Sequence, residues 1–180
     1  IKFQPGMHYF IGIGIDQFSD SRYNLKYSTK DIRDLCLKLK AKYGSNLKID
    51  TLFNENVTLE NVRLLKTKLL QTNVDDQVII SYSGHGLLSS DYDYFLSTYK
   101  INFDKPEEDG LPYDELERLL DSIPARQKLL LIDACHSGEV DKDEMIAITK
   151  SANAEGLKGS QIIAYPHTEQ VGLGNSFELM

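Results

Sequence analysis

Two side chains of this 180-residue chain have the chemistry of a nucleophile and its base. Cys135 carries a thiol, which becomes a strong nucleophile when a neighbouring base takes its proton. His85 carries an imidazole, the side chain best matched to that task near neutral pH. Together they could attack a carbonyl carbon and form a covalent acyl intermediate. A single cysteine or histidine is more often an inert structural residue, so the surrounding sequence has to decide between the two interpretations.

Both residues follow stretches that are typical of buried strands. Gln77–Ser83 is apolar at its centre and leads into Gly-His-Gly at 84–86, and Lys128–Asp133, the most apolar window, leads into Cys135. Ligands of open parallel sheets lie beyond the carboxyl ends of the strands. We therefore expect the imidazole and the thiol, 50 residues apart, to face each other at one edge of a sheet. The glycines around His85 predict a tight, exposed turn.

Acyl transfer also needs hydrogen-bond donors for the negatively charged oxygen that develops on the substrate. Backbone N–H groups are good donors because they are fixed before the charge forms. The amides of Gly86 and Cys135 are predicted to point into the same space and to form this oxyanion site.

The remaining pattern predicts one α/β domain. Short apolar runs alternate with stretches of helical periodicity, which implies right-handed crossovers and an open, mainly parallel sheet with helices on both faces. Beyond Glu139 the pattern weakens, and we interpret much of the segment to Gly174 as a mobile linker, followed by the start of a helix at 172–180. The other predicted elements are a strand at His8–Ile15, a helix from Ser28 to about Gly44, a strand at Leu47–Phe53, a helix at Thr58–Leu70, a short strand at Tyr94–Ser97, a helix at Tyr113–Leu120 and a strand at Gln161–Tyr165.

Composition excludes several classes of partner and cofactor. The net charge of −7 argues against nucleic acid, and the lack of a long apolar stretch or a leader predicts a cytoplasmic chain without a membrane partner. Cys36 lies in a helical stretch and is expected to be a small buried hydrophobe, so no disulfide is predicted. Scattered histidines and cysteines give no zinc spacing, and Gly12–Gly14 lacks the third glycine of a dinucleotide site.

Two motifs resemble those of a known superfamily. Tyr82–Gly86 (Tyr-Ser-Gly-His-Gly) and Leu131–Gly138 (Leu-Ile-Asp-Ala-Cys-His-Ser-Gly) are similar to the histidine and cysteine motifs of caspases, metacaspases and paracaspases, particularly the bacterial caspase-like members. In this superfamily the histidine stands about 50 residues before the cysteine, as it does here. The cysteine motif is closest to the metacaspase and bacterial form and lacks the local signature of animal caspases.

The resemblance implies a caspase-like fold divided into two parts. Residues 1–140 correspond to the large-subunit-like (p20-like) catalytic domain, and residues 141–180 to a linker and the start of a small-subunit-like region. The final strands of the sheet are then expected from a small-subunit-like segment of the same polypeptide, which is a cleaved partner if the protein processes itself.

The resemblance also suggests which substrates are cut. Metacaspase-like members favour Arg or Lys at P1 through an aspartate two residues before the nucleophile, and Asp133 holds that position. Asp16, after the first strand, is expected to form a second wall, since carboxylates bind a guanidinium by charge-assisted hydrogen bonds. Two alternatives stay open. Asp133 could merely cap the turn at Cys135. Arg22, near the place of a P1-binding arginine in animal caspases, would instead favour Asp.

The sequence therefore predicts a cysteine endopeptidase that acts on protein or peptide substrates. The alternative from another class is a caspase-fold pseudoenzyme or scaffold, against which the intact pair of cysteine and histidine argues. No metal or cofactor is predicted at the site. An acidic loop between Asp91 and Asp109 resembles calcium-binding regions of some metacaspases, but its spacing does not follow the EF-hand pattern, and a solvated loop is favoured over calcium activation.

Overall fold

The computed structural model describes residues 6–136 and 160–165. Within these ranges, helices and strands alternate along the chain as the sequence pattern predicts. Three short 3-10 turns, at Ser21–Tyr23, Gly44–Asn46 and Asn54–Asn56, complete the connections. The elements are β1 (His8–Gly14), α1 (Ser28–Tyr43), β2 (Leu47–Phe53), α2 (Leu59–Leu69), β3 (Gln77–Leu88), β4 (Tyr94–Leu96), α3 (Pro106–Asp109), β5 (Leu111–Pro112), α4 (Tyr113–Ser122), β6 (Gln127–His136) and β7 (Ser160–Tyr165).

The strands form one mixed sheet. Five of them are parallel and lie in the order β2, β1, β3, β6, β7. The short strand β4 runs antiparallel to the end of β3, on the side that β1 leaves open, and β5 runs antiparallel to β4. The predicted open and mainly parallel α/β sheet is therefore confirmed, and β3 lies at its centre.

Helices cover both faces of this sheet, as predicted. On one face Ile32 and Leu39 of α1 pack with Phe10 of β1. The opposite face carries the larger cluster, in which α2 and α4 pack against β1, β3 and β6. Thr58 begins α2 because its side chain accepts a hydrogen bond from the Asn61 N–H at 3.1 Å. Burial of these apolar side chains provides most of the favourable free energy of folding.

Strands β3 and β6 both extend further than the apolar runs 77–83 and 128–133 predicted, and the predicted turn at 84–86 is wrong. β3 continues to Leu88 because β6 pairs with it as far as Gly86 and β4 pairs with it beyond that point. Among the described glycines only Gly44 has a positive φ, so extended backbone runs through both glycines of the motif. Glycine is needed at these two positions because tyrosine hydroxyls pack directly against the backbone there. A Cβ on Gly84 would lie 2.5 Å from the Tyr82 hydroxyl, and one on Gly86 would collide with the Tyr94 hydroxyl.

The carboxyl-terminal part of the chain is described only in β7. That strand agrees with the predicted strand at Gln161–Tyr165 and pairs in parallel with β6. The predicted linker residues on either side of it and the helix start at 172–180 lie outside the described residues. Within the described part of the chain, no helix has both the length and the apolar character that a membrane crossing requires.

Candidate active site

The ladder between β3 and β6 brings the two predicted catalytic positions together. His85 is the register partner of Cys135, and two residues earlier Ser83 is the partner of Asp133. Positions two apart on a strand lie on the same face of a sheet, so the side chains of Ser83, His85 and Asp133 share one face, and position 135 is next to His85 in the register. On the β1 side of β3, Ser83 pairs with Gly14. A Cβ on Gly14 would meet the first turn of α1, so the shared face is the one that α1 covers. The sheet thus places the histidine and cysteine side by side near its carboxyl edge.

The imidazole of His85 is fixed in one tautomer. Its Nε2 lies 2.8 Å from the backbone carbonyl oxygen of Tyr23, which can only accept, so Nε2–H is the donor. In the neutral ring the lone pair is then on Nδ1. Nδ1 is buried and has no hydrogen-bond partner among the described side chains and backbone groups. Among the described residues, Nδ1 is therefore an acceptor without a donor.

A compact turn holds the Tyr23 carbonyl in place. The turn Ser21–Tyr23 is capped by Asp20, whose side chain accepts a hydrogen bond from the Arg22 N–H at 3.1 Å. Asn24 anchors the other end, since its Oδ1 accepts from the Phe18 N–H at 2.9 Å. The role of Tyr23 was not predicted, because any residue type supplies a backbone carbonyl and the sequence carries no signal for it.

Aromatic rings surround the imidazole. The ring centroids of Phe18 and Phe103 lie 5.3 Å and 5.5 Å from that of His85. Tyr23 stacks on Phe103 with centroids 3.6 Å apart. Burial among these rings lowers the pKa of His85 below its ordinary value, although the hydrogen bond to the Tyr23 carbonyl acts in the opposite direction. The imidazole is therefore neutral near pH 7.

A polar pair lies beside this site on the same face. The Ser83 hydroxyl donates to Asp133 Oδ2 at 3.4 Å, and Ser83 itself is buried. The alternative that Asp133 caps a turn at Cys135 does not fit, because β6 continues as a strand to His136. Ser83 was missed, yet the sequence held a signal for it. If the histidine and the cysteine end neighbouring strands, the serine two residues before the one and the aspartate two residues before the other lie next to each other on the same face of the sheet.

Asp16 lies just beyond β1, next to the centre of the sheet. It is 8% exposed, and its Oδ2 accepts hydrogen bonds from the Thr29 N–H at 3.2 Å and the Thr29 hydroxyl at 2.7 Å. The carboxylate thus completes the first turn of α1, whose preceding residue, Tyr27, makes no side-chain cap. Whether Asp16 also forms a wall of the substrate pocket stays a prediction.

Arg22 is engaged elsewhere on the surface. Its Nε donates to both carboxylate oxygens of Asp20 at 3.0 Å, and its side chain is 78% exposed. The charge of this guanidinium is therefore compensated by a neighbouring carboxylate two residues away. This arrangement gives the aspartate-specific alternative less support than a free guanidinium would.

The predicted oxyanion donors lie within the ladder. Gly86 is the register partner of His136 on β6 and of Leu96 on β4, so strands flank its backbone on both sides. Cys135 lies one position before His136. Within the described residues no group of three or more His, Cys, Asp or Glu side chains could hold a metal ion.

The fold is that of an α/β protein whose central, mainly parallel sheet pairs a histidine position with a cysteine position near its carboxyl edge. The chain belongs to the caspase domain family, whose model matches residues 10–170. By family it is thus a caspase-type cysteine peptidase domain.

Solved structures share the fold at low sequence identity. A protein from Geobacter sulfurreducens matches with a TM-score of 0.60 and 19% identity, over 89% of this chain and 58% of its own. The structure of pro-sf-caspase-1 matches with a TM-score of 0.51 and 16% identity, over 98% of this chain and 57% of its own. The chain therefore spans less than two thirds of the length of each. No curated protein sequence matches it.

Proposed function

We propose that this domain is a cysteine endopeptidase in which Cys135 and His85 act as a catalytic dyad. The register pairing of these two residues, beside an imidazole whose Nδ1 carries the free lone pair, is the observation that carries the proposal. A scaffold without activity needs neither this pairing nor the fixed tautomer.

The proposed reaction proceeds in two steps. Nδ1 of His85 accepts the proton of the Cys135 thiol, and the sulfur attacks the scissile carbonyl carbon. The imidazolium then donates that proton to the leaving amine as the carbon–nitrogen bond breaks, which leaves a thioester. In the second step the neutral imidazole accepts a proton from water, and the oxygen attacks the thioester carbon. The carbon–sulfur bond then breaks, the acid is released, and the imidazolium returns the proton to the Cys135 thiolate. The hydrogen bond from Nε2–H to the Tyr23 carbonyl stabilises the imidazolium between these events.

The amides of Gly86 and Cys135 are the proposed oxyanion donors. Since Gly86 is flanked by strands on both sides, its N–H reaches an oxyanion only when the last rung of the β3–β6 ladder, between Gly86 and His136, opens. Substrate binding along this edge would supply the free energy for that opening.

We further propose cleavage after Arg or Lys. Asp133 provides the negative charge of the P1 pocket, and the buried Ser83 orients it through the 3.4 Å hydrogen bond. A guanidinium can bind such a carboxylate through two N–H donors, which favours Arg over Lys. Asp16 is proposed as a second wall of the same pocket.

The division of the chain into a large-subunit-like part, 1–140, and a linker with the start of a small-subunit-like part, 141–180, is likewise a proposal. It is supported by the share of the two solved structures that the chain spans, 58% and 57%. In this proposal further strands of the same polypeptide extend the sheet beyond β7, and self-processing separates the two parts.

Active-site labelling tests the dyad and the specificity together. The full-length protein is treated with three acyloxymethyl ketones that differ only in the P1 residue: arginine, its uncharged isostere citrulline, or aspartate. We expect the arginine reagent to modify Cys135 fastest, as read by mass spectrometry of the Cys135 peptide. Cys135→Ala should abolish labelling, and His85→Ala should slow it by about 10²- to 10⁴-fold. Asp133→Asn should remove the preference for arginine over citrulline.

Each alternative has its own signature in this experiment. Preferential labelling by the aspartate reagent would overturn the pocket assignment and leave the dyad intact. A folded, full-length protein whose Cys135 reacts no faster than a peptide thiol would support the scaffold interpretation.

A further inference from the structure

The backbone of His85 is held by a buried polar cluster that the proposed dyad does not include. On one side of β3, the paired strand is β1 up to Ser83 and β4 from Gly86 onward. His85 lies in the gap between these two pairings. At this gap the adjacent chain is Ser97, the residue after β4. Ser97 is 0% exposed, and its N–H donates to the His85 carbonyl at 2.9 Å.

The return bond is made by a side chain. In an antiparallel hydrogen-bonded pair the two residues exchange two backbone bonds. Here the His85 N–H instead donates to the Ser97 hydroxyl oxygen at 3.1 Å. The Ser97 carbonyl accepts from the Tyr82 hydroxyl at 3.0 Å. Without the serine side chain, the partly buried N–H of His85 would lose its acceptor, and such losses are costly.

Tyr82 closes the cluster. Its hydroxyl oxygen, also buried, lies 2.7 Å from the Ser97 hydroxyl and 3.1 Å from the His85 carbonyl oxygen. A tyrosine hydroxyl has one proton and finds carbonyl acceptors in both Ser97 and His85, and in its contact with the Ser97 hydroxyl either oxygen can be the donor. Burial raises the pKa of Tyr82, which keeps this proton in place. The hydroxyl reaches the cluster by passing over Gly84, where a Cβ would lie 2.5 Å from it.

We propose that Ser97 and Tyr82 are positioning residues for the His85 imidazole. Together they bind both the N–H and the carbonyl of His85, which fixes the backbone from which the ring extends. The ring itself has one hydrogen bond among the described residues, through Nε2 to Tyr23. The backbone clamp therefore fixes the point from which the ring extends, and the Tyr23 carbonyl holds the far side of the ring. This inference rests on the proposed function, because it assigns a task to the base of that dyad.

The test compares Ser97→Ala and Tyr82→Phe with Thr98→Val in the full-length protein, using cleavage of an arginine peptide. Thr98 is the matched control, since it is the buried neighbour of Ser97 and its hydroxyl donates to the Asp109 carbonyl at 2.7 Å, away from the cluster around His85. We expect Ser97→Ala and Tyr82→Phe to lower kcat by roughly 10- to 100-fold, with KM within about 2-fold, because misplacement of a reacting group costs that much. Thr98→Val should retain kcat within about 2-fold.

Two further readouts separate positioning from loss of stability. The double variant should lose little more than the worse single variant, because both substitutions break one cluster. The pH dependence of Cys135 alkylation by iodoacetamide should shift toward that of an ordinary thiol, with a pKa of about 8.5, in Ser97→Ala and Tyr82→Phe but not in Thr98→Val. Tyr82→Phe keeps the ring volume, so it decides the matter if Ser97→Ala does not fold.

His85→Ala distinguishes the two levels of the argument. If His85→Ala remains active, the proposed function itself fails. If His85→Ala is inactive while Ser97→Ala and Tyr82→Phe behave like Thr98→Val in kcat and in the alkylation profile, only the positioning proposal is overturned.

Discussion

A histidine can act as a base only if it is neutral at the working pH and presents the correct nitrogen. For His85, the pKa and the tautomer are both set by neighbours that are far away in sequence. The Tyr23 carbonyl accepts from Nε2–H at 2.8 Å and so leaves the lone pair on Nδ1. Phe18 and Phe103 exclude water from the ring, which lowers the pKa of His85. The carbonyl thus sets the tautomer, and burial among the aromatic rings outweighs its opposite effect on the pKa.

The pKa of His85 is a direct test of this environment. In Cys135→Ala, where no thiol can pair with the ring, an NMR titration should give a pKa for His85 below the ordinary value of about 6.5. Phe103→Ala in the same background should raise it toward that value, because water reaches the ring. Phe53→Ala removes another half-buried ring, on β2, and should leave the titration unchanged. An unchanged titration in Phe103→Ala would contradict the assigned cause.

The same shift makes stability depend on pH. Because the pKa of His85 is lower in the folded protein than in the unfolded chain, the unfolded chain binds more protons in the window between the two values. The contribution of His85 is therefore fully present above about pH 6.5 and is lost as the pH falls through the folded pKa.

At the scale of elements, the first turn of α1 depends on a residue outside the helix. The side chain of the residue before the helix, Tyr27, makes no capping bond. The buried carboxylate of Asp16 takes that place through its two bonds to Thr29. These bonds link the end of β1 to the start of α1, two elements that border the proposed site. Stability and substrate binding at Asp16 can be separated by mutation.

Asp16→Ala should lower the free energy of unfolding by about 1–3 kcal/mol, because it leaves the Thr29 N–H and hydroxyl without their acceptor. Thr29→Val is the matched control, since it removes the hydroxyl bond and keeps the backbone bond, and it should cost about 1 kcal/mol. Urea denaturation measures both. If Asp16→Ala unfolds like the unmodified protein and alters only the P1 preference, the carboxylate serves the pocket and not the helix.

At the scale of the whole molecule, charge favours the proposed substrates. The chain carries 27 acidic and 20 basic residues, for a net charge of −7. Such a surface attracts cationic peptides over a range that salt shortens, to about 10 Å at 0.1 M ionic strength. The global charge and the local Asp133 therefore act in the same direction on a peptide with arginine at P1.

This attraction predicts a dependence on ionic strength. Between about 0.05 and about 0.5 M salt, kcat/KM for an arginine peptide should fall by roughly 3- to 10-fold, whereas kcat should change little. The citrulline peptide, which lacks the charge, serves as the matched substrate and should show a much weaker dependence. Equal salt dependence for both peptides would show that the charge of the protein does not contribute to their encounter.

The sequence by itself determined the order of the elements and the residues with chemical potential. Apolar runs and helical periodicity are local properties, so β2 at Leu47–Phe53 and α1 from Ser28 were predicted at their observed bounds or starts. The motifs around His85 and Cys135 similarly indicated the family, which the match over residues 10–170 confirms.

Tertiary structure alone decided how the histidine is held. The Tyr23 carbonyl and the Ser97 N–H are backbone groups. Every residue type provides the carbonyl and every type except proline provides the N–H, so composition and spacing do not indicate their roles. The glycines at 84 and 86 suggested a turn, but the pairing of β3 with β6 and β4 keeps them extended. A strand's neighbours are non-local, and they determine both where it ends and which of its groups remain free to react.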